Sequence, residues 1–479
     1  MNKIIINSRQ IIVFFIFVFS FSVVVFFDQQ MFNDGDVFMH VAAGQWILSH
    51  HAVPHIDPFS YSFAGVPWVA HEWLSELLVG LAYTWGGWGG VLVLIGLAYS
   101  LAMGSLTMFL VHRGGAFLPI CLTLLLSMVT TFPSLLARPH ILALPCFVLW
   151  LICLLRAREK GNAPPAWPTA LILLFWVNLH GSFAIGLFLI VPFAVEAVLA
   201  EQHSRLHVLG AWARFMALSC AIITITPNGW HGLLFPFQLL MMPQLAMIQE
   251  WKPMVIRLTE PFVLSCLTFV YVVLTRRLKI PPIRWLLLLG FAYISVRHIR
   301  YELLAAVVTP LILAEPLGLM AERNQGRRVI WHASAAQWSA LAVTIGALTG
   351  LRMAYPYTLT DRPVTPLSVL AHVPAELRKL PVLNSYGLGG ILIFEGIKPI
   401  IDGRADMYGD AFMKEHDAVM DGNKTLLQAW STEFGLRWAY LKPTAALVNV
   451  LDSDPQWKRL YSAPDAIVYV KEKISAPSF

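Results

Sequence analysis

The residues best equipped for chemistry crowd into one early stretch of the chain. Asp34-Gly35-Asp36 sets two carboxylates one residue apart, His40 follows four positions after Asp36, and Asp57, His71 and Glu72 all come before Trp73. A carboxylate beside a reacting hydroxyl can take its proton. Two carboxylates together also offer the hard oxygen ligands that Mg²⁺ or Mn²⁺ prefers. A helix through this stretch puts His40 on the face of Asp36, where the imidazole either orients the carboxylate or joins Asp34 and Asp36 around a metal ion. Each residue has a plainer role as well. Asp and Gly favour turns, so Asp34-Gly35-Asp36 can simply separate two helices. Asp57 precedes Pro58 and can fix a turn, Glu72 can be a helix N-terminal charge favoured by the dipole, and His40 can be a surface imidazole touching lipid headgroups.

A second set is scattered along the chain. It comprises Arg138-Pro139-His140, Asn178-Leu179-His180, Asn228-Gly229-Trp230-His231, Glu250-Trp251-Lys252 and Arg297-His298-Ile299-Arg300. A guanidinium presents a planar fork that suits phosphate oxygens, which makes Arg138, Arg297 and Arg300 candidate phosphate clamps. The alternative is that helix-end arginines snorkel to an interface. His180, with Asn178, His231 and Glu250, can line a substrate site or cap helices.

The elements that must position these groups lie in a membrane. Of 479 residues, 57% are apolar and only 13% charged, far from the quarter charged that a soluble domain carries. Apolar runs lie near 11–27, 89–111, 116–133, 141–155, 168–180, 183–200, 211–226, 262–275, 285–296, 303–319 and 335–352, giving eleven candidate spans. Lys3 and Arg9 precede the first run, and no small-residue cleavage site follows it, so it reads as a retained helix. No Lys or Arg occurs between Arg9 and Arg113, whereas Arg113, Arg156, Arg158, Lys160, Arg205, Arg276, Arg277, Lys279, Arg284, Arg323, Arg327 and Arg328 fall on alternate connections. That asymmetry puts the N-terminus in the cytoplasm. The polar groups above then share the opposite face, as does everything after about residue 353. The formal charge of +6 is topological, and the abundant Trp and Phe belong to interface belts, so no nucleic-acid partner is expected. Five cysteines sit in apolar runs without metal or disulfide spacing, and Gly86-Gly87-Trp88-Gly89-Gly90 lacks the Lys of a phosphate-binding loop.

The expected architecture is therefore an all-α polytopic domain over 1–352 and a small α/β domain over 353–479. The outer loop 28–88 of the first domain carries interfacial helices near 37–47 and 73–85. In the tail, strands are expected near 399–401, 438–441 and 466–470, and helices near 411–420, 424–434 and 443–451.

The runs Gly35-Asp36…His40…Gly44…Trp46-Ile47, Asp57-Pro58-Phe59-Ser60-Tyr61, His71-Glu72-Trp73-Leu74 and Asp402-Gly403-Arg404-Ala405-Asp406-Met407-Tyr408-Gly409 carry a resemblance over nearly the whole chain. With the long acidic first loop and the span number, they resemble the GT-C superfamily of membrane glycosyltransferases, and more closely a group of bacterial integral-membrane proteins with the same motifs. The resemblance implies transfer of a sugar from a polyprenyl-phosphate donor to a hydroxyl on a glycan, lipid or protein, at the periplasmic face of the bacterial inner membrane. Asp36 is then the first choice for the base and Asp34 the second. Glu72 supplies a second acid, and His40, Asp57, His71, Arg138, His180, Arg297 and Arg300 contact substrate. Asp402 and Arg404 read instead as a structural ion pair. A transporter or flippase, or a non-catalytic partner in envelope assembly, is the alternative reading; a transporter is expected to show inverted repeats, and none is evident.

Overall fold

A run of apolar residues about 20 long satisfies its own backbone only as a helix once water is absent, and each of the eleven apolar runs is one. The helices are Ser8–Phe26, the second half of Trp73–His112, Phe117–Thr131, Pro139–Lys160, Leu171–Leu179, Phe183–Ala200, Arg205–Ile223, Pro261–Arg276, Pro282–Arg297, Glu302–Gln325 and Ala335–Ala354. Trp73–His112, Pro139–Lys160, Phe183–Ala200 and Arg205–Ile223 are long and apolar enough to cross a membrane. The structure is a computed structural model that describes residues 8–113, 117–325 and 334–472; Lys3, Arg327 and Arg328, used above for orientation, lie outside them.

The chain divides into two units, and the division differs from the boundary expected at 352. The first holds residues up to 30, 89–236 and 246–356, and the second holds 31–88, 237–245 and 357 onward. The long helix Trp73–His112 passes from one to the other just after Gly86 and Gly87, whose backbone leaves helical geometry, with φ of +56° at Gly87. Glycine alone enters that region at no steric cost.

In the first unit, Phe21, Val25 and Val93 pack against Ile345, Leu348 and Met353. One polar device is buried among the helices: Arg284 reaches Glu315 at 2.6 Å and Glu196 at 3.2 Å, and Glu196 also takes Arg158 at 3.3 Å.

The second unit is built on a four-stranded sheet in the order β1-β2-β4-β3. β1 (Val382–Asn384) runs parallel to β2 (Trp438–Leu441), with Leu383 opposite Ala439. β4 (Ile467–Lys471) is antiparallel to β2 and to β3 (Trp457–Ser462). Every residue of β2 is buried, which is why it reads as an unbroken apolar run. Beneath the sheet, Trp430, Leu436, Leu441, Leu451, Trp457 and Tyr469 form a core with Leu427 of the helix Lys424–Glu433. A second core joins early and late segments: Met39 and Ala43 of the helix Asp36–His50, with Trp68 and Ala70, close over Ile393. The sheet and helices expected in the tail are present, except that 399–401 contributes a single bridge, Pro399 to Val382, instead of a strand. The middle segment is tied in by Gln244, whose amide donates to Asp410 at 3.0 Å.

Candidate functional site

Asp34 acts first on its own backbone. Its Oδ1 accepts the Asp36 amide at 2.8 Å, a turn that launches the helix Asp36–His50 and fixes where the Asp36 side chain leaves the chain. Asp36 is half-buried and points at the late segment, because a Cβ built on Gly403 would overlap its Oδ1 and Cγ and stand 2.9 Å from Oδ2.

One turn on, His40 is 3% exposed and lies between two carboxylates. Its Nδ1 is 3.4 Å from Glu76 and its Nε2 3.8 Å from Glu72. This pairing requires the helices Asp36–His50 and Trp73–His112 to cross closely, and two glycines permit it. A Cβ on Gly44 would overlap the Glu76 carbonyl, and one on Gly80 would lie 2.6 Å from the Gly44 carbonyl carbon. Small residues at a crossing let backbones touch, and Gly44 and Gly80 each stand one turn beyond His40 and Glu76. Glu76 is 2% exposed, and its Oε2 has no hydrogen-bond partner among the described residues.

His71 continues the chain of charges, with Nε2 3.6 Å from Glu72. Burial pulls this imidazole down, but the charge of Glu72 and a hydrogen bond to it, with Asp406 and Glu76 behind, hold its pKa up at about 9. Asp406 is pushed above the ordinary carboxylate range by burial, against the lowering pull of His71 and Arg404. His40, His71 and Glu72 thus come together, and they gather Glu76 and Asp406, which sequence reasoning passed over. Glu76 was visible as the i+4 neighbour of Glu72. Asp406 was visible only inside a motif read as structural.

Asp57 is placed differently from expectation. Its side chain is fully buried and its acceptor capacity is taken: the Phe59 and Ser60 amides donate at 2.9 and 3.0 Å, the Ser60 hydroxyl donates as well, and Arg404 Nη1 lies at 2.6 Å. Arg404 also grips Asp402 through Nε at 2.7 Å and Nη2 at 2.6 Å, and the Tyr408 hydroxyl donates to Asp402 at 2.6 Å. The guanidinium lies over Phe59 and Trp68, 5.3 and 4.8 Å from the ring centroids. Burial would raise Asp402, but the charge and hydrogen bonds of Arg404 and Tyr408 hold it below 3.8. Asp57 is therefore a staple between distant segments of one unit. Asp402 and Arg404 form the structural ion pair expected of them.

The expected ligand set Asp34, Asp36 and His40 is not assembled for a metal ion. Asp34 is engaged in its turn and His40 on two glutamates, and among the described residues no three His, Cys, Asp or Glu side chains are arranged to hold a cation.

The first unit assembles the other set. Arg138 and Arg300 converge on Glu250, at 2.9 and 3.1 Å. Arg300 stacks on Trp251 at 4.2 Å, and His298 bonds the Trp251 carbonyl at 2.7 Å. Burial alone would raise Glu250, but Arg138 and Arg300, helped by His140 and His180, bring its pKa down to about 2. His180 stands 6.2 Å from His140, ring to ring. Arg297 is exposed and has no ion pair among the described residues. Asn178 bonds the Leu174 and Ile225 carbonyls, and the His231 ring lies 3.9 Å from that of Trp230, tilted by 31°. Two guanidiniums around one carboxylate leave a net positive site suited to an anion.

A bundle of apolar helices followed by a C-terminal α/β unit gives the chain a GT-C-like fold, that of a membrane protein. No protein-family model matches the sequence, and no curated protein does. Among solved structures, the chain is similar to the oligosaccharyltransferase of Archaeoglobus fulgidus in the apo form, with a TM-score of 0.56 and 11% identity over 90% of this chain and 69% of that one. It is similar to the same organism's AglB in complex with an inhibitory peptide and a dolichol-phosphate, with a TM-score of 0.54 and 10% identity over 98% of this chain and 75% of that one. It is also similar to ArnT from Cupriavidus metallidurans bound to undecaprenyl phosphate, with a TM-score of 0.52 and 12% identity over 97% and 98% of the two chains.

Proposed function

We propose that this protein moves a sugar from a polyprenyl-phosphate carrier, of the undecaprenyl phosphate type, to an acceptor hydroxyl on a glycan, lipid or protein. The distribution of basic residues favours the periplasmic face of a bacterial inner membrane. The observation that carries the reading is the placing of Asp36. It is half-buried at the first turn of its helix, anchored by Asp34, and housed in a unit that also gathers His40, His71, Glu72 and Asp406.

In the reaction the acceptor oxygen attacks the anomeric carbon, and the bond from that carbon to the phosphate oxygen breaks with its electrons passing to the phosphate. The acceptor proton goes to the Asp36 carboxylate. The departing polyprenyl phosphate gains negative charge; within the first unit, Arg138 and Arg300 offer guanidiniums of the kind that bind phosphate. Glu72, set between His40 and His71, is the second acid. Two further features support a lipid-linked donor. Structures with this fold hold dolichol-phosphate and undecaprenyl phosphate. The first unit has an apolar groove of about 640 Å³, lined by Ile120, Leu126, Phe262, Phe269, Leu288 and Leu313, whose chemistry suits an isoprenoid chain.

The test is transfer from undecaprenyl-phosphate-linked sugars by the purified protein and by Asp36→Asn produced at equal yield. A loss of roughly 10²–10⁴-fold in kcat is the general-base expectation. Undiminished transfer by the variant, or movement of the lipid-linked donor across vesicles with no transfer at all, refutes the proposal.

A further inference from the structure

We propose that Gly403 is a positioning residue for Asp36, so that the Asp402-Gly403-Arg404 loop belongs to the transfer site as well as to the scaffold. The inference rests on the reading of Asp36 as the base. The three atoms nearest to a Cβ built on Gly403 are Oδ1, Cγ and Oδ2 of Asp36; the carboxylate, Oδ1 foremost, occupies the space a side chain would take.

Backbone conformation does not explain the glycine. Gly403 is outside the left-handed region, unlike Gly396 or Gly409 with φ of +74° and +71°, so any L-residue could adopt its backbone. Space explains it. The loop also cannot retreat from a larger residue. Asp402 and Arg404 on either side are buried in the ion network with Asp57, and the Gly403 carbonyl accepts the Tyr386 hydroxyl at 3.1 Å.

The facing backbone is held just as closely. A Cβ on Gly390 would overlap the Gly35 carbonyl, and one on Gly35 would overlap the Gly387 carbonyl. Main chain meets main chain where Gly35 faces Gly387 and Gly390, so a methyl group at 403 is accommodated by moving the carboxylate. Restoring ordinary contact takes a displacement of about 1 Å or more, and a misplacement of that size costs a reaction roughly 100-fold.

The experiment compares Gly403→Ala, Tyr386→Phe, Asp36→Ala and the double variant Asp36→Ala/Gly403→Ala, following melting temperature and donor kinetics together. Gly403→Ala should lower kcat about 100-fold with the donor KM within about twofold. It should melt several degrees lower, and the melting loss should vanish in the Asp36→Ala background because the clash is with that side chain. Tyr386→Phe should lower kcat severalfold with little change in melting. A Gly403→Ala protein with full kcat, while Asp36→Asn is inactive, overturns this inference and leaves the assignment of the base standing. A melting loss that persists in the double variant also overturns it, since the glycine would then be structural. Rescued melting in the double variant with an active Asp36→Asn leaves the contact in place and removes the base assignment, and the positioning role falls with it.

Discussion

Replacing Asp57 separates a structural carboxylate from a substrate ligand, and the size of the effect can be worked from its contacts. The buried group of Asp57, Asp402 and Arg404 carries two negative charges and one positive. Asp57→Ala leaves a neutral Asp402–Arg404 pair, so no uncompensated charge is created. What is lost is one charge-assisted hydrogen bond from Arg404, worth about 1.5–3 kcal/mol, and partners for two loop amides and the Ser60 hydroxyl, which add about 1 kcal/mol or more. A cost of about 3–4 kcal/mol corresponds to about 6–16 °C in melting temperature for a unit of roughly 150–250 residues. Asp57→Asn keeps an acceptor for the loop amides and should cost about 1 kcal/mol. Arg404→Leu leaves two buried carboxylates with no cation and should be the worst, at about 3–5 kcal/mol. The assay is thermal unfolding in detergent beside donor kinetics of the surviving fold at low temperature. An Asp57→Ala protein that melts like the parent but shows a raised donor KM would refute the reasoning and return Asp57 to the substrate.

The same network fixes an acid limit. Asp402 has its folded pKa depressed below 3.8, so its contribution is present above that value and lost as pH falls through the folded pKa; the melting temperature should drop below about pH 4, and Asp402→Asn should remove that limb. His71 works in the opposite sense. Its pKa is raised from 6.5 to about 9, so its stabilisation is complete below 6.5 and disappears as pH rises to 9; a flat profile over this window in His71→Gln, against a falling one in the parent, is the expected result in thermal melts. Arg300→Lys keeps the charge but loses the planar fork and the stack on Trp251; donor KM should rise about tenfold, from about 1.4 kcal/mol of lost binding, with kcat less affected.

Much of the scaffold could be read from composition because hydrocarbon dictates it. Eleven apolar runs leave the backbone no alternative to helices, and the fully buried β2 announces itself as Trp-Ala-Tyr-Leu. β3 was not foreseen because its exposed Lys458, Arg459 and Leu460 mask the pattern of an edge strand, and β1 is only three residues long. Within the site, Asp34 followed turn chemistry, and His71 with Glu72 gave a local pair. Asp57 was misplaced because the partner that determines its role, Arg404, is 347 residues away. Burial is a tertiary property, and a carboxylate before proline looks the same whether it ends in water or against a guanidinium. Gly403 was silent for a related reason: the absence of a side chain signals a close approach only once the neighbour is known.

That long separation also sets the order in which the chain can be completed. At about 5–20 residues per second, Arg404 is synthesised roughly 20–70 s after Asp57, and until then the Phe59–Trp68 stretch has neither its cation nor the surface of Ile393 to close upon. The first loop must therefore wait for both partners while nine or ten helices are made after it. A polypeptide broken off before residue 404 would carry every motif of its early loop and its local hydrogen bonds onto Asp57, yet lack the cation that closes it, which makes the final quarter of the chain the checkpoint for the first.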